Sequence, residues 1–212
     1  PEIFNPNNVN LVELVSTKSV SEYGNGKCKI IVVDLGLKNN ILRLLLKHDI
    51  VIKRVPWNYD YSQENYDGVF ISNGPGNPVL YQQTVVILQK AMKIGKPIFG
   101  ICLGHQLLAL AAGGKTYKLH FGHRSQNQPC IDESGTCYVT SQNHGYAVEM
   151  DSLGTDWQEI FTNLNDRTNE GIQHINKPFF GVQFHPEGAS GPQDTENLFD
   201  KFIDMVKDYN HQ

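Results

Sequence analysis

The sequence predicts an α/β fold: an open, mostly parallel, twisted sheet with helices on both faces, plus a small antiparallel extension. Three observations predict it. Lys29 to Asp34, Tyr66 to Ser72, Pro97 to Ile101 and Phe179 to Phe184 are short apolar runs without alternation, as strands buried on both faces of a parallel sheet require. Helical patterns lie between the early ones, giving a strand–helix–strand succession. Glycine- and proline-rich loops follow strand ends directly, and ligands of such sheets bind at the carboxyl ends of the strands.

Taken in order, residues 1 to 27 read as an arm. Asn5, Pro6, Asn7, Asn8 and Asn10 make a turn-rich start. Leu11, Val12, Leu14 and Val15 are expected to dock as a helical turn or a short strand, and Ser19 to Gly26 reads as a polar linker. After the strand at Lys29 to Asp34, Gly36 breaks the run and Asn39 or Asn40 begins a helix carrying Ile41, Leu42, Leu44, Leu45 and Leu46. Asp49 to Val55 is the next strand, stopped at Pro56. Tyr66 to Ser72 follows, then a helix from about Val79 to Ile94. Beyond Gly114 the pattern changes to short β-like runs at Lys115 to His120, Thr136 to Ser141, Tyr146 to Glu149 and Gly171 to Ile175. Gln142 to Tyr146 reads as a polar turn between two of them. Gly191-Pro192 is expected to open the last helix, with Leu198, Phe199, Phe202, Ile203 and Val206 as its buried face.

The stretch that organises this plan is Pro97 to Gly113. It predicts a strand ending at Ile101, a sharp turn at Cys102, and a helix from about Leu103 to Ala112 that Gly113 and Gly114 terminate. Gly100 and Gly104 flank Cys102 two residues to either side. This is the G-x-nucleophile-x-G frame of a strand-to-helix elbow, with Cys where hydrolases of related layout carry Ser. Glycine leaves room for so tight a reversal, and the helix N-terminus stabilises negative charge on the sulfur. A lone Cys in an apolar strand would instead be a buried structural thiol, so a base and an orienter must be found elsewhere.

Composition limits the alternatives. The 212 residues are 40% hydrophobic and 19% charged, ordinary for one large globular domain with or without an arm. The net charge of −4 and the absence of a long basic run argue against nucleic acid or an anionic membrane as partner. No apolar run approaches the roughly 18 residues of a membrane span. The four cysteines, Cys28, Cys102, Cys130 and Cys137, are too irregular for a disulfide framework or a zinc pair, which fits a reducing, intracellular setting. The chain begins with Pro, and it is expected to be a piece of a longer polypeptide.

His185 and Glu187 supply the missing pair. Pro186 keeps His185 extended, and residues two apart in an extended stretch point the same way. A carboxylate beside imidazole fixes its tautomer while the other nitrogen faces a nucleophile. Alone, the tripeptide would read as a surface turn. The loop Asn73-Gly-Pro-Gly-Asn-Pro78 is stiff, has bare backbone, and suits an oxyanion hole; alone, it would be an ordinary turn. His105 lies on the elbow helix and cannot easily reach in front of the sulfur. His120, His123 and His144 show no metal spacing with an acidic or thiol partner, so no metal is expected.

These parts together resemble a known family. Gly100-Ile-Cys-Leu-Gly-His-Gln106 with Phe184-His-Pro-Glu187 is similar to the class I (triad) glutamine amidotransferase domain, over roughly residues 28 to 207. Ser72 to Pro78, Gly114 to Lys118, Gln126 to Pro129, Ser141 to Tyr146 and Gly191 to Glu196 narrow the resemblance to the glutaminase part of glutamine-dependent carbamoyl-phosphate synthetases. The resemblance implies that Cys102 attacks the side-chain amide of L-glutamine, that His185 moves the proton, and that Glu187 orients His185. It implies an oxyanion held by the N–H groups of Gly76 and Leu103, each worth roughly 3 kcal/mol. Gly74, Gly76, Leu103, Gln106, Asn143, Gly145 and Tyr146 would hold the substrate, partly by backbone. No cofactor is implied for this domain; ATP and Mg would belong to the synthetase subunit or domain that takes the ammonia and uses bicarbonate. In this family the glutaminase part follows an N-terminal domain of the small subunit, of which residues 1 to 27 would be the trailing linker. Weak glutaminase turnover is therefore expected of this chain in isolation. The rivals are an amidotransferase domain serving another synthetase (anthranilate, GMP or CTP type), a stand-alone γ-glutamyl hydrolase, and a catalytically silent regulatory module.

Overall fold

The computed structural model describes residues 5–210. The elements run α1 (Leu11–Val15), β1 (Ser21–Gly24), β2 (Cys28–Asp34), α2 (Asn39–Leu45), β3 (Ile50–Pro56), β4 (Gly68–Ile71), α3 (Gln82–Ile94), β5 (Ile98–Ile101), α4 (Leu103–Ala111), β6 (Lys115–Asp132), β7 (Cys137–Glu149), β8 (Trp157–Asn163), β9 (Asn169–His174), β10 (Phe179–Val182) and α5 (Asn197–Asn210). Among these residues the strands form one ten-stranded sheet in the order β1-β3-β2-β4-β5-β10-β9-β8-β6-β7. The run from β3 to β10 is parallel. β1 closes one edge antiparallel to β3, and β9, β8, β6 and β7 extend the other edge antiparallel.

The unbroken apolar runs are explained by two cores. Alternate residues of each parallel strand face opposite sides. Ile31, Val33, Val69, Ile71, Ile98 and Phe179 pack with α3 and α4, through Val85, Leu88, Leu103, Leu107 and Leu108. Ile30, Val32, Phe70, Phe99, Ile101, Phe180 and Val182 pack with α2 and α5. The second core is aromatic at its centre: Phe99 stacks on Phe180 at 4.2 Å, and Phe199 and Phe202 of α5 close over Phe70 and Phe99.

Four local expectations are corrected. Ser21–Gly24, inside the stretch read as linker, is a strand: Ser21 to Gly24 register against Arg54 to Val51 and complete the sheet edge. Gln142 to Tyr146 is not a turn but the middle of β7, which runs unbroken because Gln142, Asn143 and His144 pair with Ser125, Arg124 and His123 of β6. Its polar side chains hid a strand whose inward face binds other polar groups. β8 was not anticipated, and β6 and β7, at 18 and 13 residues, make the antiparallel part larger than a small extension. The last helix starts at Asn197 rather than at Pro192. Asp194 accepts a 3.2 Å hydrogen bond from the Val139 N–H, and separate turns close from Gln193 and Thr195 to Glu196 and Leu198, so the chain stays on the sheet extension before it turns helical.

Candidate active site

β5 and β10 pair in parallel with Ile101 opposite Val182, so the residues just past each strand share one end of the sheet. Cys102 is the first residue past β5, and its N–H donates to the Val182 carbonyl at 2.8 Å. It adopts φ 53° and ψ −104°, and α4 begins at the next residue. A non-glycine residue in this region costs about 1–3 kcal/mol and persists only where its surroundings hold it. The flanking glycines make the turn possible. A Cβ on Gly100 would stand 2.5 Å from the Gly104 carbonyl, and a Cβ on Gly104 would run into the Ile71 carbonyl of β4. The elbow expected from the sequence is therefore present, with the strain concentrated on the cysteine.

Three residues past β10, the His185 N–H donates to the Ser141 carbonyl of β7 at 2.8 Å. Its ring Nδ1 lies 2.7 Å from Glu187 Oε1, and both residues are buried. The carboxylate can only accept, so Nδ1 carries the hydrogen. Nε2 is buried without a hydrogen-bond partner. Burial opposes a charge on this ring, but the nearby Cys102 sulfur and the Glu187 carboxylate outweigh it and push His185 up to about 10. Burial likewise opposes charge on Glu187, yet His185 and Lys38 bring its carboxyl below the usual range.

A cavity of about 470 Å³ opens over Cys102 and His185. Gly74, Gly76, Gln106, Asn143, Gly145 and Tyr146 line it, as do Gly36, Lys38, Asn73, Pro75, Arg124 and His144. Leu103 does not line it; its side chain is buried in the core, which leaves only its backbone N–H at the helix start to face a ligand. Gln106 has both Nε2 hydrogens engaged, with the Tyr146 carbonyl and with Gln183 Oε1, each at 2.9 Å. The loop over Gly74 and Gly76 is fixed from β2: Ser72 Oγ accepts from the Leu35 N–H and donates to the Asn73 carbonyl, both at 2.9 Å.

Lys38 was missed by the sequence reading. Its Nζ stands 3.0 Å from Glu187 Oε1 and 3.3 Å from His185 Nδ1, and Asn40 donates to the Glu187 carbonyl at 2.8 Å. A signal existed: Leu35 to Lys38 is the loop at the carboxyl end of β2, the same end of the sheet as the elbow. Arg124, at a β6 position that registers with Asn143, had no such signal.

The histidines divide sharply. His105 is fully buried with neither ring nitrogen partnered, and burial lowers it to about 3, so it is no base. His123 and His144, expected to lack an acidic partner, meet Glu170 within 4.8 Å, which corrects that expectation: strand register, not sequence spacing, brings them together. Ligand atoms this close could hold a cation, but both imidazoles are already engaged in hydrogen bonds, and Glu170 Oε1 accepts from Asn163 Nδ2 at 3.1 Å. His144 Nδ1 donates to the Tyr146 carbonyl at 2.8 Å, leaving Nε2 to accept from His123 Nδ1 at 3.2 Å, while His123 Nε2 donates to Asp166 at 2.8 Å. Glu170, and behind it Asp166, outweigh burial and push His123 up to about 9. Burial keeps His144 neutral, near 3. Cys130 is a buried thiol that burial drives up to about 12, unsuited to nucleophilic work.

Comparison with known proteins gives the family. Residues 31–205 match the family model described as Glutamine amidotransferase class-I. The chain is 50% identical over 218 residues to the multifunctional protein pyr-3 of Neurospora crassa, covering 97% of this chain and 12% of that protein. It is 48% identical over 210 residues to the mitochondrial carbamoyl-phosphate synthase [ammonia] of Aquarana catesbeiana, covering 97% of this chain and 14% of that one. The chain thus spans a small fraction of the relatives it matches. Among solved structures, a Thermoplasma acidophilum protein described as a GMP synthase component superposes with a TM-score of 0.78 at 24% identity, over 88% of this chain and 98% of that one, a likeness of fold.

Proposed function

The chain belongs to the class-I glutamine amidotransferases, and on that premise we propose that it hydrolyses the side-chain amide of L-glutamine through a thioester on Cys102 and passes the ammonia to a carbamoyl-phosphate synthetase domain. The observation that carries the reading is the strained Cys102 elbow sharing one cavity with His185, whose ring is hydrogen-bonded from behind by Glu187.

The chemistry follows from that arrangement. The Cys102 sulfur attacks the amide carbon while His185 takes its proton. Developing charge on the amide oxygen meets the N–H groups of Gly76 and Leu103, the first in a glycine–proline loop and the second at the start of α4. His185 Nε2 then gives the proton to the departing ammonia, and a γ-glutamyl thioester remains. Water attacks it with His185 as base, releasing glutamate and restoring the thiol. Glu187 holds the ring in the tautomer that presents Nε2, and Lys38 neutralises that buried carboxylate. In the subsite, Gln106 has only its carbonyl oxygen left, which suits the substrate's α-ammonium. Arg124 suits the α-carboxylate, while Asn143, Gly145 and Tyr146 form the wall.

Delivery to a synthetase using ATP and bicarbonate, a preceding small-subunit domain, a place in pyrimidine formation and a cytoplasmic setting are parts of the same proposal. They rest on the multifunctional relatives. A second reading, a module that keeps the fold without hydrolysing glutamine, is favoured by the frog relative, whose name specifies ammonia. The complete set of Cys102, His185 and Glu187 weighs for the first.

The test is glutamate release from glutamine by this chain against Cys102→Ala, with circular dichroism to verify folding. Loss to background in the variant is expected; equal release from both would remove Cys102 as nucleophile. Adding a carbamoyl-phosphate synthetase domain should raise turnover and capture the ammonia as carbamoyl phosphate. A full rate without it would contradict the dependence on a partner.

A further inference from the structure

The segment before β1 backs residues of the pocket wall at two points. Asn7 Oδ1 accepts a 3.0 Å hydrogen bond from the Tyr146 hydroxyl. Tyr146 lines the cavity, and its carbonyl accepts from both Gln106 Nε2 at 2.9 Å and His144 Nδ1 at 2.8 Å. At the opposite wall, the Tyr81 hydroxyl donates to the Pro75 carbonyl at 2.8 Å and lies directly under Gly76. A Cβ on Gly76 would collide with that hydroxyl and would also meet Leu11 Cβ at 3.7 Å; one on Gly36 would meet Val15 Cγ2 at 3.0 Å and Pro75 Cδ at 3.2 Å. So the arm touches the wall built by β7 and the loop over the sulfur.

The arm is itself held in place. Val12 is fully buried in the core that contains Tyr81 and Leu103. Asn10 caps α1 by accepting from the Glu13 N–H at 3.0 Å. Ser16 Oγ accepts from the Trp57 N–H at 3.1 Å, and the Thr17 N–H donates to buried Asp34 at 2.9 Å. Leu14, on the same short helix, is 70% exposed.

We propose that Asn7 is a positioning residue of the glutamine subsite, acting through the Tyr146 hydroxyl. This deepens the functional reading above and rests on it. The arm is therefore part of the site rather than a linker that merely precedes it. Without the Asn7 acceptor the phenol loses its anchor, and the Tyr146 carbonyl, on which both Gln106 and His144 depend, is free to shift with the ring. Because the effect is exerted on the substrate wall and not on the sulfur, it should fall on KM before kcat.

The experiment uses the 212-residue chain and two readouts: the KM and kcat of glutamate release, and protection of Cys102 from alkylation as glutamine is added. Asn7→Ala and Tyr146→Phe should each raise KM and the protection midpoint about fivefold, the loss of one hydrogen bond. The double variant should be no worse than either single one, since both remove the same contact. Leu14→Ala, which alters the arm away from the pocket, should leave both readouts unchanged. Additive effects in the double variant, or an Asn7→Ala KM within twofold of wild type, would overturn the proposal. Wild-type chain that neither hydrolyses glutamine nor is protected by it would instead defeat the functional reading, and this proposal with it.

Discussion

At Cys102 a sequence motif and a backbone conformation meet. The motif placed Cys102 at a strand-to-helix reversal; the structure adds that the reversal is taken up by the cysteine's own φ of 53°. The glycines do the complementary work of bringing α4 against β4. Gly104→Ala should therefore cost about 2–3 kcal/mol, because the new Cβ meets the Ile71 carbonyl and neither backbone can move away. A fall in the thermal midpoint of several degrees is expected, with a larger fall in glutamate release than in stability, because the same collision displaces the sulfur. An unchanged midpoint would mean that the elbow yields. His185 and Glu187 were legible as a pair, because Pro186 between them limits the backbone locally, but only beside the Cys102 elbow; Gln106 alone reads as a helix-surface amide and was singled out only by the family resemblance. Lys38 was not, because its contact with Glu187 spans 149 residues and depends on where two loops end.

At the scale of elements, reading was most secure where periodicity and burial agree. α5 buries Leu198, Phe199, Phe202, Ile203 and Val206, the face its spacing predicted. Phe202 is fully buried against Phe70 and Phe99, so Phe202→Ala should lower stability by about 3–5 kcal/mol with little direct effect on the distant sulfur, measured by denaturant unfolding beside KM. Reading failed at β7, where a polar run of Gln, Asn, His and Gly looked like a turn. Strand patterns are recognised by apolar residues facing a core, whereas β7 faces a polar network of His123, Gln142 and Glu170. The start of α5 was misplaced for a related reason: Pro192 permits a helix there, but the hydrogen bond from the Val139 N–H of β7 to Asp194 holds the preceding turns.

For the whole molecule, pH dependence of stability reports the buried charges. His123, held between Asp166 and Glu170 with neutral His144 on its other nitrogen, is raised to about 9, whereas in the unfolded chain a histidine titrates near 6.5. The folded state thus binds more protons in that window. The contribution is complete below about pH 6.5 and is lost as pH rises through about 9. His185, raised to about 10, adds a contribution of the same sign. The thermal midpoint should therefore fall between pH 6.5 and 9, and His123→Gln should flatten but not abolish that slope; an unaltered slope would remove His123 from the account. The alternation of strands and helices, the parallel core, the glycine-flanked elbow at Cys102 and the His–Pro–Glu pair are legible in the order of the amino acids. Each of these is written in residues a few positions apart, whose backbone limits and periodicity act locally. It takes three-dimensional packing to bring Lys38 to Glu187, Asn7 to Tyr146, and His123 and His144 to Glu170, and to make the polar run in β7 a strand. Those contacts join residues distant in the chain, and strand order and register, which no local preference encodes, set which of them meet.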